Sequence, residues 1–127
     1  MKKMQELLVW QKAYQLTLDI YRATDRFPSE ERLALTAQLR FTASTIPACV
    51  LEFYRQTHSE SSTTALSNAA DALQKLSYYL ELSRDLGYLF KEHFEMLLEQ
   101  LENILVLLTE THGHATEELE HATIDAR

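Results

Sequence analysis

Gln38-Leu39-Arg40-Phe41-Thr42-Ala43-Ser44-Thr45-Ile46-Pro47-Ala48-Cys49-Val50-Leu51-Glu52-Phe53-Tyr54-Arg55 has helical periodicity on both sides of a proline. Leu35, Leu39, Thr42, Ile46, Cys49 and Phe53 keep the alternating four-and-three spacing of one helix face through Pro47, which predicts a single kinked helix and not two short ones. Proline has no N–H, so the carbonyl of Ala43 loses its helical donor. A mid-helix proline costs about 3 kcal/mol or more, and tertiary packing must therefore hold the helix together at this point.

Outward from this run, the other segments read as helices too. Val9, Ala13, Leu16, Ile20 and Ala23 form one apolar stripe between Leu7 and Asp25, and Trp10, Tyr14, Leu18 and Tyr21 form a second beside it. A face this wide exceeds the inner seam of a monomeric bundle. Trp10, Tyr14 and Tyr21 are accordingly candidates for contact with another subunit, the alternative being an aromatic-rich internal core. Phe27-Pro28-Ser29 ends the first helix, and Ser29 is placed to cap the second, with Glu30 and Glu31 in its positive first turn. Downstream, Leu66, Ala69, Leu73, Leu76, Leu80 and Ser83 mark the core face of a third helix, whose start falls somewhere in the Ser/Thr-rich run from Ser59 to Thr64. Gly87 suits a left-handed C-cap. Phe90, Phe94, Leu97, Leu98, Leu101, Ile104, Leu105 and Leu108 give a fourth helix, expected to stop near Thr111-His112-Gly113.

Four helices with short connections predict an all-α, antiparallel up-down-up-down four-helix bundle over residues 1–111. Residues 112–127 read as an acidic, flexible tail. At 127 residues the chain is one domain. No apolar run approaches the length of a membrane span, and the start of the chain lacks a signal peptide's apolar stretch, so a cytoplasmic protein without a membrane partner is expected. Cys49, the sole cysteine, cannot form an internal disulfide and is expected to pack as a small buried hydrophobe.

The net charge of −7 is unevenly spread. Residues 1–91 carry eleven Lys/Arg against ten Asp/Glu, and residues 92–127 carry one against nine. A near-neutral body leaves room for a local basic surface, whereas the acidic C-terminal part repels phosphate. The first two helices and their ends hold eight bases against six acids, and a ring of subunits would multiply charges such as Arg40 or Arg55. The plainer reading is that these residues only solvate helix faces.

Catalytic and metal chemistry find little support. A di-metal bundle needs Glu-x-x-His on two helices, and only Glu118-Leu119-Glu120-His121, in the expected tail, has that spacing. There is no nucleophile elbow and no glycine-rich phosphate loop, since Gly87 and Gly113 are the only glycines. A non-enzymatic protein without metal or cofactor is expected.

Leu8-Val9-Trp10-Gln11-Lys12-Ala13, Ile20-Tyr21-Arg22-Ala23-Thr24, Phe27-Pro28, Gln38-Leu39-Arg40, Ser44-Thr45-Ile46-Pro47-Ala48 and Leu86-Gly87-Tyr88-Leu89 resemble, in order, the four-helix bundle proteins encoded in intervening sequences of bacterial 23S ribosomal RNA genes. Relatives of that family include the accessory variability determinant (Avd) of diversity-generating retroelements. Cys49-Val50-Leu51-Glu52-Phe53 stands where the family usually has Asn-Ile-Ala-Glu-Gly, which makes this second helix greasier than usual. The resemblance implies a barrel-like homopentamer with no known catalytic activity. For the retroelement relatives it implies binding to nucleic acid and to a reverse transcriptase. On this reading nucleic-acid contact would fall to Lys12, Arg22, Arg40 and Arg55, and the subunit interface to Trp10, Tyr14, Tyr21, Leu51 and Phe53. The alternative is a protein-interaction module with no nucleic-acid role.

Overall fold

The computed structural model describes the backbone of residues 2–55 and 60–125, and the side chains of residues 8–55 and 62–110. The described residues form four α-helices, α1 (Lys2–Thr24), α2 (Leu35–Arg55), α3 (Glu60–Asp85) and α4 (Lys91–Asp125), with a short 3-10 turn at Ser29–Glu31 between the first two. Among the described residues α1 packs on α2 and α4, α3 packs on the same two, and the diagonal pairs do not meet. This is the square arrangement of a four-helix bundle. Thr17 reaches Ala43 across the α1/α2 seam while Thr24 meets Arg40, and Ser62 reaches Phe53 across the α2/α3 seam while Tyr79 meets Gln38. In both seams residue numbers fall along one helix as they rise along the other, so each of these pairs runs in opposite directions.

The core follows the predicted faces of α1 and α3, where every residue of the leading stripes is buried. On α2 the register turns after Ile46. Val50 takes the core position with no exposure, while Cys49 and Phe53 are only half-buried, because the face that continues from Ile46 and Pro47 passes through Val50. Cys49 packs against the core as expected, but only partly buried. Phe90 also departs from its stripe, standing 78% exposed just ahead of α4.

Two boundaries differ from expectation. Ser29 opens the 3-10 turn and does not cap α2, which starts only at Leu35, after a run of turns stitched by bonds from Glu31 N to Pro28 O, Arg32 N to Ser29 O and Ala34 N to Glu31 O. Pro28 sits ahead of that turn with an extended backbone, as the residue that caps it. At the other end α4 runs past Gly113 to Asp125 and does not stop at Thr111–Gly113. One glycine costs about 1 kcal/mol relative to alanine, and the Ala, Glu and Leu residues beyond it are strong helix formers.

Pro47 lies inside an uninterrupted α2. The carbonyl that it orphans belongs to Ala43, which is fully buried, and Thr17 of α1 comes to it: its Oγ1 lies 3.1 Å from Ala43 O and 2.9 Å from Ala13 O. Thr17 has one hydroxyl proton for these two acceptors. Ala13 O already accepts the helical N–H of Thr17, so the proton does more on Ala43, which has no helical donor. The connection at the end of α3 is satisfied differently. Gly87 adopts φ +82°, Gly87 N donates to Arg84 O at 2.9 Å, and Tyr88 N donates to Ser83 O at 2.9 Å, the two bonds of a Schellman C-cap.

Candidate subunit and nucleic-acid interface

The aromatic residues of α1 and the basic residues of α1 and α2 occupy different surroundings. Trp10 is half-buried and lies parallel to Tyr14, with ring centroids 5.1 Å apart and planes 9° apart. Tyr14 is 47% exposed, Tyr21 43% and Leu51 49%. Trp10 precedes Tyr21 by eleven residues, and Leu51 follows Arg40 by eleven, close to three full turns in each case. Since Arg40 touches Tyr21 across the seam, these spacings line up Trp10, Tyr14, Tyr21 and Leu51 along the outer edge of the α1/α2 seam. Phe53 does not join them. It packs edge-on against Tyr54 at 4.7 Å and sits near α3, where its carbonyl accepts Ser62 Oγ at 3.3 Å.

Arg40 is engaged within its own subunit. Its Nε donates to Thr24 Oγ1 at 2.8 Å, its Nη2 donates to Tyr21 O at 3.2 Å, and its guanidinium lies 4.8 Å from the centre of the Tyr21 ring. Thr24 Oγ1 in turn donates to Ile20 O at 2.8 Å. The last carbonyls of a helix have no intrahelical partner. Here Arg22 O and Thr24 O accept the N–H groups of Asp25 and Phe27, and Arg40 supplies Tyr21 O. A cation at this negative end of α1 is also favoured by the helix dipole. Asp25, 3.8 Å from Nη2, adds an exposed ion pair of little energetic weight.

Lys12, Arg22 and Arg55 are exposed. Arg22 faces Asp19 at 3.5 Å with 70% of its side chain open to solvent. Lys12 and Arg22 stand about 15 Å apart along α1, and Arg40 and Arg55 about 22 Å apart along α2, by helical rise. The four candidates therefore do not form one cluster within a subunit. Among the described residues, no group of three or more His, Cys, Asp or Glu is placed to hold a metal ion, and no helix is long and apolar enough to cross a membrane. Burial, and next the charge of Glu52, raise the pKa of the Cys49 thiol, which lowers its thiolate fraction at neutral pH.

Sequence reasoning missed the clamp made by Arg40. Its signal was present in the chain: a basic residue one turn into α2, opposite a C-terminus that ends in Thr24 and lacks a glycine cap. It also missed Thr17, which nothing in its local sequence distinguishes.

The class of protein is thus a small all-α bundle with a solvent-facing aromatic seam. The chain belongs to the family of 23S rRNA-intervening sequence proteins, whose family model matches residues 5–110. A solved structure similar to it is that of a protein of unknown function from the S23 ribosomal protein family of Bacteroides thetaiotaomicron, with a TM-score of 0.79 at 18% identity, covering 86% of this chain and 98% of that one. At that identity the likeness speaks for the fold. No curated protein matches the sequence.

Proposed function

We propose that the protein is a non-enzymatic scaffold that assembles with copies of itself through the α1/α2 seam, in the five-subunit ring that the family resemblance implies. The observation that carries this reading is the line of Tyr14, Tyr21 and Leu51, each 43–49% exposed, continued by the stacked Trp10. Contiguous apolar surface of this kind usually marks an interface. Light scattering after size exclusion tests it: about five protomers are expected for the full chain, and a monomer for Tyr14→Glu combined with Leu51→Glu. A wild-type monomer, or a variant of unchanged mass, would overturn it.

The accessory role in nucleic-acid or reverse-transcriptase binding belongs to the same proposal in its second part. Arg40 is taken up by the end of α1, so Lys12, Arg22 and Arg55 would carry the contact, each multiplied by the ring. Retained binding to RNA or DNA that weakens steeply with salt supports this role. No binding at low salt favours a protein-interaction module instead.

A further inference from the structure

Tyr21 is held differently from the other aromatic residues of the α1/α2 seam. Trp10 and Tyr14 support each other by stacking. Tyr21 has no aromatic partner among the described residues and takes a cation instead, the Arg40 guanidinium 4.8 Å from its ring centre. The same arginine donates to the Tyr21 carbonyl through Nη2 at 3.2 Å and to Thr24 Oγ1 through Nε at 2.8 Å, and Thr24 Oγ1 is itself anchored on Ile20 O at 2.8 Å. Arg40 is thus fixed at three points, two of them on Tyr21.

Capping α1 does not by itself call for this geometry. The helix dipole favours any cation at the end of α1, and a lysine would answer it. A guanidinium does more, because it donates in the plane of its fork while its flat face lies on a ring, which an ammonium cannot do. With the cation over the ring, 43% of Tyr21 still lies open to solvent. An unsupported tyrosine on a helix surface samples several rotamers, and a partner that docks on it must halt that motion, at a loss of about three- to tenfold in affinity for each side chain ordered.

We propose that Arg40 is a positioning residue of the self-assembly surface: it holds the Tyr21 ring in the orientation that a second copy meets. The inference rests on the α1/α2 seam being the subunit interface, as proposed above. All three contacts of Arg40 lie within one protomer, so the ring is set before two copies meet and the gain is one of preorganisation. This gives Arg40 a part other than the nucleic-acid contact expected from the sequence.

The experiment is sedimentation equilibrium over a dilution series of the full chain, beside Arg40→Lys, Tyr21→Leu and the two combined. Lysine keeps a charge at the end of α1, leucine keeps an apolar side chain at the seam, and an unchanged helical circular-dichroism signal shows that the protomers stay folded. Arg40→Lys is expected to raise the dissociation constant of the assembly about three- to tenfold, and to add little in the Tyr21→Leu background. Unchanged assembly in Arg40→Lys, or an equal loss in both backgrounds, overturns the positioning role and leaves the seam interface standing. A helical signal lost in Arg40→Lys overturns it as well, since the arginine would then hold the fold and not the ring. A wild-type chain that stays monomeric throughout the series overturns the seam interface and this inference with it.

Discussion

Pro47 and Gly87 are two places where helix carbonyls lose their regular donors, and the protein satisfies them by opposite means. At Gly87 the repair is local: a positive φ turns the chain, and the amides of Gly87 and Tyr88 fold back onto Arg84 and Ser83. At Pro47 the repair is tertiary, because the donor for Ala43 O comes from Thr17, twenty-six residues away on another helix. A local repair survives changes elsewhere in the bundle. A tertiary one makes the integrity of α2 depend on how α1 is seated, and α1 carries the aromatic seam proposed to join subunits.

The largest effect should come from breaking the tertiary repair. Thr17→Val keeps the shape and removes the hydroxyl, leaving the buried Ala43 carbonyl without a donor at a cost of about 1–3 kcal/mol. In a Pro47→Ala background the N–H of the new alanine reaches Ala43 O, so the same substitution should lose most of its effect. Urea unfolding of the four chains measures the coupling directly. Equal costs for Thr17→Val in both backgrounds would show that Thr17 merely back-bonds to Ala13.

The same contrast explains what could be read in the sequence. The four helices were legible because their core faces repeat within a few residues, as at Leu66, Ala69, Leu73 and Leu76. The C-cap at Gly87 was legible because only the local chain takes part. The need for help at Pro47 could also be deduced, from the absent N–H alone. The helper could not, since Thr17 sits among ordinary helix residues and gains its role only when α1 and α2 pack. For the candidate interface, the aromatic residues Trp10, Tyr14 and Tyr21 stood out by their spacing, whereas Arg40 looked like any exposed cation until the end of α1 was placed against it. Phe53 and Cys49 were assigned by extending a period straight through the proline, and the register past Ile46 favours Val50.

A smaller effect is expected at the local repair. Gly87→Ala meets no atom within 4 Å of the added methyl, so only the strain of an L-residue at φ +82° remains, about 1 kcal/mol. The loss should appear in urea unfolding without any dependence on Thr17 or Pro47. Coupling between Gly87→Ala and Thr17→Val would mean that the two repairs are not independent and that the contrast between them is false.

The smallest effect concerns Tyr88, which belongs to both kinds of repair at once: its amide completes the Gly87 turn, and its hydroxyl reaches Glu31 in the distant connection. Donation to the Glu31 carboxylate raises the Tyr88 pKa above its ordinary value of 10.0, with burial and the charges of Glu31 and Glu30 adding in the same direction. Because the folded value lies above the unfolded one, the bond's contribution is complete below pH 10 and is lost as the pH climbs through the raised value. Tyr88→Phe keeps the amide and the ring against Phe27 but removes the titrating hydroxyl. Stability should therefore fall less steeply with pH in this variant than in the wild type above pH 10, while the Gly87 turn keeps its amide pattern. Identical alkaline profiles would mean that the hydroxyl adds nothing to the turn and that the end of the bundle is held by the backbone and the ring alone.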